Sequence, residues 1–355
     1  MTDTAPRPTV LVSAAKLAHE AVTMLDAAGY TVRCTSGYPG EQELLAAIRE
    51  HQPVAILHRQ GIINGTVMDA AAPRLRVVAR HGAGIDGIDI PAARARNLTV
   101  TRAAGANSRS VAEHAMALML TMLKDLPSVT SGMREGLWEK TSRMTRDIDG
   151  MTLGIVGYGA IGTKVARMAA AFGMRVLAYD PLLPAGPLSG PAERVEILPG
   201  LLRQSDVLSL HCPLEAETRG LIGRDELALM PRGAILVHTA RGGIVDQDAL
   251  LAALDSGQLS WAGVDVFVQE PLEADSPFRI HPRVVATPHL AANTPRGATG
   301  MACGAAESII AVLAGRLPAL EGAVVVPGSL PAHLAGRSDG ARGAAIMPSI
   351  LAAPS

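Results

Sequence analysis

The chain has 355 residues, 48% of them hydrophobic and 18% charged, with a formal net charge of −1. That length exceeds one typical core and suits two domains of roughly 100–200 residues each. A balance this close to neutral leaves no basic surplus to hold a phosphate backbone, so nucleic acid is excluded as an expected partner.

Short apolar runs alternate with helical patterns over the first hundred residues. Residues 9–12, 31–34, 54–57, 77–79 and 99–101 read as strands, with helices at 19–28 and 41–50 between them. Gly29 stands where a helix C-cap glycine belongs. A long helix at 108–124, capped by Asn107 or Ser108, ends before Pro127. Residues 128–149 are polar and hold Trp138, for which packing or a subunit contact is expected. A second series opens at Met151, with strands at 152–156, 175–179, 207–210, 234–238, 262–266 and 284–286. Six such strands match the dinucleotide-binding architecture. A last helix at 296–314 stops at Gly315. From Gly328 onward the sequence is rich in Ala, Gly, Pro and Ser without hydrophobic period, and a disordered tail is expected over 328–355.

This rhythm predicts an α/β protein of two doubly wound parallel-sheet domains. The nucleotide-binding domain is expected over 104–294, and a second domain over 1–103 joined by 295–327. The three cysteines, Cys34, Cys212 and Cys303, lack metal-ligand or C-x-x-C spacing, so no metal is expected and a reducing cytoplasm suits them. The N-terminus does not follow the signal-peptide pattern. The most apolar helical stretch, 111–123, carries Glu113 and His114 and falls short of the ~20 residues that cross a bilayer, so no membrane partner is expected.

The segment TLGIVGYGAIG (152–162) sets Gly157, Gly159, Ala160, Ile161 and Gly162 between an apolar strand and a helical pattern. In such a fingerprint the first glycine makes the turn and the second admits a pyrophosphate. The third lets helix and strand pack, while the helix N-terminus faces the phosphate charge. Asp180 ends the next strand, 18 positions after Gly162, close to the ~20 expected of a ribose-binding carboxylate. A carboxylate there repels a 2′-phosphate and favours NAD over NADP, with Arg175 the nearby cation that could still tolerate the phosphate.

Three further groups follow strands of the second series: Arg241 in HTARGGIVD, Glu270 in DVFVQEP and His289 in ATPHLAANT. Ligands bind at the carboxyl ends of parallel strands, where residues from different strands converge. A guanidinium holds a carboxylate with two hydrogen bonds. An imidazole exchanges a proton near neutral pH, and a carboxylate beside it stabilises the imidazolium.

Together with RHGAGIDGID (80–89), NSRSVAEHA (107–115), SDVLSLHCPL (205–214), AGVDVFVQEP (262–271) and TPHLAANT (287–294), these motifs resemble the D-2-hydroxyacid dehydrogenase family. That family includes phosphoglycerate dehydrogenases and hydroxypyruvate/glyoxylate reductases. The resemblance implies a Rossmann NAD-binding domain, a flavodoxin-like substrate domain, and hydride transfer between nicotinamide and C2 of a small D-2-hydroxy or 2-keto acid. It implies Arg241 on the substrate carboxylate, His289 as acid and base, and Glu270 as its partner. Substrate contacts are implied for His81, Ala83 and Gly84, and an acidic substrate group near Arg59 and Arg80, which are equally read as surface arginines. Cys212, Pro213 and Thr218 would line the adenosine side, and Thr239 and Ala240 the nicotinamide. Asp265 would hold the carboxamide, or else cap a strand end. His238, where relatives often carry Asn, reads as structural, and His81 as a residue that narrows or polarises the pocket. A homodimer through the NAD-binding domain is implied. The alternative is an NAD(H)-sensing corepressor-type binding protein. A formate-type dehydrogenase is disfavoured because Glu270 stands where those enzymes carry Gln.

Overall fold

The structure, a computed structural model, describes residues 6–331 and Leu334. Two compact units form: residues up to Asn107 together with those from Pro295 onward, and Ser108–Thr294. In chain order the first stretch gives β1 (Thr9–Val12), α1 (His19–Ala27), β2 (Thr31–Cys34), α2 (Glu41–His51), β3 (Ala55–His58), α3 (Gly65–Ala70), β4 (Val77–Arg80), α4 (Ile90–Ala95) and β5 (Thr99–Arg102). The second unit gives α5 (Ser108–Leu123), α6 (Leu126–Arg134), β6 (Thr152–Val156), α7 (Gly162–Ala171), β7 (Arg175–Tyr179), β8 (Glu193–Arg194), α8 (Leu198–Leu202) and β9 (Val207–Leu210). It continues with α9 (Arg224–Leu229), β10 (Ala234–His238), a 3-10 turn (Gly242–Ile244), α10 (Gln247–Asp255), β11 (Leu259–Val264), α11 (Pro277–Ile280) and β12 (Val284–Ala286). The returning chain adds α12 (Pro295–Leu313) and β13 (Val324–Val326) to the first unit.

In the first unit the strand order is β13-β5-β4-β3-β1-β2, parallel throughout except for the antiparallel edge strand β13. Without β13 this is the flavodoxin-like order. In the second unit the order is β12-β11-β10-β9-β6-β7-β8, all parallel, which is the Rossmann order extended by one strand. Every residue of β3, β9 and β10 is buried, as continuous apolar runs must be when helices cover both faces of a parallel sheet. Each unit carries one apolar cluster on either side of its sheet. Every Leu, Ile or Val fully buried there stabilises the fold by roughly 1.5–3 kcal/mol. The methionines of α5 belong to this packing: Met116, Met119 and Met122 are buried, and Met122 lies against Gly263 of β11.

Some expectations shift in detail. α5 ends before Pro127 as expected, and Pro127 then lies in the first turn of a further helix, α6, where its missing N–H has no partner to lose. The strand expected at 262–266 runs from Leu259 to Val264, leaving Asp265 just past its end. The unit boundary falls at Asn107/Ser108, four residues beyond the expected 103/104. The tail expected from Gly328 also begins differently. Leu330, 6% exposed, packs against the β1–β3 side of the first unit, and Thr99 Oγ1 donates to Pro327 O at 2.9 Å. Apart from Leu334, that expectation otherwise lies outside the described residues.

Candidate active site

The turn after β6 is shaped by contacts that exclude side chains. Gly157 sits at φ +91°, and a Cβ there would lie 2.5 Å from Cys212 N. At Gly162 a Cβ would meet Gly157 O at 2.2 Å, so α7 begins pressed against the turn. Gly159 has open space around its Cβ position, which leaves its backbone approachable. Ala160 and Ile161 complete the turn, and α7 starts without a side-chain cap, at the end of a helix where the dipole favours a phosphate. Asp180, half-buried at the end of β7, accepts from Tyr158 N at 2.9 Å and Leu182 N at 3.1 Å, which fixes its carboxylate beside the turn. Arg175 is engaged elsewhere, bidentate to Glu193 at 3.0 and 2.8 Å.

These residues fit a dinucleotide: a turn open at Gly159, an uncapped helix start for its phosphates, and a fixed carboxylate for a ribose diol. Cys212 packs under the turn, and burial, with the charges of Asp180 and Glu215, pushes its thiol up to about 12. It is therefore an inert filler at neutral pH. The Thr218 hydroxyl donates to Pro213 O at 2.6 Å and accepts from Glu215 N at 2.8 Å, closing a local turn beside Cys212 and Pro213. Thr239 and Ala240 are buried after β10, and Thr239 Oγ1 has no partner among the described residues.

Arg241, Glu270 and His289 converge within the second unit. A Cβ on Gly242 would lie 2.0 Å from the Phe267 carbonyl carbon, so glycine alone lets the loop after β10 press against the loop after β11. That contact brings Arg241 near enough for its charge to act on Glu270. Glu270 Oε1 accepts from Phe267 N at 2.9 Å, and Oε2 faces His289 Nδ1 at 2.7 Å. Partial burial opposes ionisation of Glu270. The hydrogen bonds from His289 and Phe267, with the charges of His289 and Arg241, outweigh it and hold the carboxyl below its ordinary value. The ionised carboxylate accepts only, so Nδ1 of His289 is the donor and Nε2 is left for chemistry. His238, beneath Arg241, is fully buried, and burial pulls it down to about 4; it is a neutral structural residue.

Asp265 sits just past the end of β11. It is fully buried, with Oδ1 accepting from Thr287 Oγ1 at 2.5 Å and Leu290 N at 2.9 Å, and Oδ2 accepting from Ala291 N at 2.9 Å. The carboxylate caps the strand end and the His289 turn, the alternative left open by the sequence.

In the first unit, the loop after β4 carries His81, Ala83 and Gly84. Arg80 is not a projecting cation: its Nε donates to Gly84 O at 2.9 Å and its Nη1 to Arg59 O at 2.5 Å. It ties two loops together because those carbonyls lie within reach of its fork. His81 is only 7% exposed, and burial with the Arg59 charge pushes it down to about 4, so it is a neutral wall residue. Ala83 and Gly84 are partly exposed, as is Arg59. His58 was not singled out by the sequence. Buried under Gly87, with Nε2 3.0 Å from Gly61 O, it braces both loops, and no local pattern marks it.

Residues 116–291 match the family described as "D-isomer specific 2-hydroxyacid dehydrogenase, NAD binding domain". The chain is 40% identical over 308 residues to the D-3-phosphoglycerate dehydrogenase of Mycobacterium tuberculosis, covering 87% of this chain and 57% of that protein. It is 39% identical over 262 residues to the hydroxypyruvate reductase of Thermotoga maritima, covering 73% of this chain and 84% of the relative. A solved structure of a Thermus thermophilus protein, 36% identical, superposes with a TM-score of 0.80 over 90% of this chain and all of that one. The chain spans 57% of the length of the mycobacterial relative, and 84% of the reductase at an identity far above fold-level likeness. The chain belongs to the D-isomer specific 2-hydroxyacid dehydrogenase family.

Proposed function

We propose that this protein is an NAD-dependent oxidoreductase that interconverts a small 2-keto acid and its D-2-hydroxy acid. The observation that carries the reading is the 2.7 Å His289 Nδ1–Glu270 Oε2 pair with the Arg241 charge acting on it. Arg241 holds the substrate carboxylate through its guanidinium fork. His289, with Nδ1 fixed by Glu270, gives the Nε2 proton to the C2 oxygen in reduction and takes it back in oxidation. Glu270 stabilises the imidazolium and fixes its ring. When bound, NAD supplies or accepts the hydride at C2, held by Gly157–Gly162 and by Asp180.

The substrate class is hydroxypyruvate, glyoxylate or 3-phosphoglycerate, in keeping with the names of the relatives. We assign the dimer contact to the second unit, where Trp138, 77% exposed, lines an apolar cavity of about 270 Å³ with Val129, Met133 and Leu137. A cytoplasmic setting is part of the same reading. No helix among the described residues is long and apolar enough to cross a membrane.

The test is NADH oxidation with glyoxylate, hydroxypyruvate, pyruvate and 3-phosphohydroxypyruvate, beside NADH binding measured by fluorescence. Turnover on at least one acid is expected. NADH binding without turnover on any of them overturns the reading in favour of a binding protein, an alternative that no present observation favours.

A further inference from the structure

His289 adopts φ +50°, a left-handed conformation that a side chain other than glycine keeps only when its surroundings impose it. What imposes it is visible on both sides of the residue. The His289 N–H donates to Asp265 O at 2.8 Å. The next two amides, Leu290 and Ala291, each donate at 2.9 Å to the Asp265 carboxylate. Three successive N–H groups of the turn therefore converge on one residue.

Asp265 is itself braced from two directions. Its N–H donates to His238 O at 3.0 Å, which ties it to the end of β10. Thr287, one residue past β12, donates its hydroxyl proton to Oδ1 at 2.5 Å. That single proton is then committed, so Thr287 Oγ1 is an acceptor toward its other neighbour, His114 Nε2, at 3.1 Å. His114 comes from α5, and its Nε2 lies 3.7 Å from Asp265 Oδ1. Donation thus runs in one direction, from His114 through the Thr287 hydroxyl to the Asp265 carboxylate. It joins α5, β12 and the end of β11 behind the His289 turn.

We propose that His114 and Thr287 are positioning residues of the reaction. Acting through Asp265, they fix the orientation of the carboxylate that holds the His289 turn, and so the direction in which His289 presents Nε2. Neither touches substrate. Each acts by removing rotational freedom from a buried carboxylate whose four lone-pair directions must be met by fixed donors. Without Thr287 the carboxylate keeps its two amide donors, Leu290 N on Oδ1 and Ala291 N on Oδ2, but loses the one side-chain donor that ties it to β12 and, through His114, to α5. The proposal rests on His289 being the acid and base of the proposed reaction.

The experiment uses the full chain with Thr287→Val, which keeps the shape and removes the hydroxyl, and Thr287→Ser, which restores it. Two readouts are taken: kcat and KM for the best 2-keto acid, and the His289 ring C–H proton signal in the NMR spectrum, identified by its loss in His289→Ala. In Thr287→Val kcat is expected to fall about tenfold or more, with NADH affinity within about twofold, the scale of a small misplacement of an acid–base group. The His289 signal is expected to shift or broaden, and Thr287→Ser to recover both readouts. His114→Gln, which retains a donor, is expected to lie closer to wild type than His114→Leu. An unchanged His289 signal and unchanged kcat in Thr287→Val overturn the proposal, as does an equal loss in Thr287→Ser. If wild type turns over no 2-keto acid, the functional reading fails, while the NMR comparison still decides whether Thr287 sets the His289 ring.

Discussion

In the proposed mechanism the chemistry rests on His289 and the cofactor choice on Asp180, and each makes a separable prediction. Replacing His289 with Ala removes the imidazole assigned to proton exchange, while the fingerprint turn at Gly157 lies on a different loop of the unit. Turnover is expected to drop roughly 10²–10⁴-fold, with NADH affinity nearly unchanged, in steady-state kinetics beside a fluorescence titration. Equal loss of cofactor binding contradicts the assignment. Asp180→Ser removes a charged acceptor, so NADH affinity should fall roughly 10–100-fold, on the scale of about 1.5–3 kcal/mol for a hydrogen bond to a charged group. NADPH affinity should rise, because the repulsion toward a 2′-phosphate goes with the charge. An unchanged ratio of the two affinities would count against Asp180 as the ribose carboxylate. At this scale the sequence was most readable in pairing Glu270 with His289, which the structure places 2.7 Å apart. It was least readable where reach through space decides. Arg80 and Asp265 carry charges that look available in a linear sequence, yet both are engaged by backbone groups of nearby loops.

Among the elements, the loops after β10 and β11 illustrate how a glycine places Arg241 near Glu270. A methyl group at Gly242 would meet the backbone of Phe267 and Val268 at 2.0–2.4 Å, and backbone cannot rotate aside. Gly242→Ala is therefore expected to push the two loops apart, separating Arg241 from Glu270. Overpacking of this kind costs roughly 1–3 kcal/mol, and a displacement near 1 Å costs on the order of 10²-fold in rate. Calorimetry should show a lower melting temperature, and kinetics a kcat loss larger than the loss of stability explains. A variant with wild-type kcat contradicts the role given to this contact. Strands such as β3, β9 and β10 were legible as short, largely apolar runs, and α1, α2, α5 and α12 by their apolar spacing, whereas the two-residue β8 and the nine-residue α6 and α10 were not anticipated. Elements such as α3, α4, α8 and α11 span four to six residues, too few for a period to emerge. Strand β13 is defined by its antiparallel pairing with β5, more than two hundred residues away in sequence, and nothing local announces that partner.

Among the described residues of both units, four buried histidines are held neutral. Burial is the first cause in every case, and it brings His58, His81 and His238 down to about 4 and His211 to about 3, from an ordinary value of 6.5. Their folded values lie below the unfolded one, so between these limits the unfolded chain binds more protons. Stability is therefore full above about pH 6.5 and falls as the pH drops toward 4, by up to about 5 kcal/mol per pH unit when all four contribute. His58 and His81 belong to the first unit and His211 and His238 to the second, so both units share the loss. Melting temperatures across this range should be flat above neutrality and fall steeply below pH 6. A value unchanged between pH 7 and 5 contradicts the burial of these rings.

The central claim is that the Arg241–Glu270–His289 set governs hydride transfer to C2. It is tested most directly by reducing a 2-keto acid with NADH deuterated at the transferring carbon and locating the label by mass spectrometry and NMR. One deuterium at C2 of a single D-2-hydroxy acid enantiomer is predicted for wild type, with the same product formed at least a hundredfold more slowly by His289→Ala. Product without deuterium at C2, or labelled product formed by His289→Ala at the wild-type rate, would contradict it.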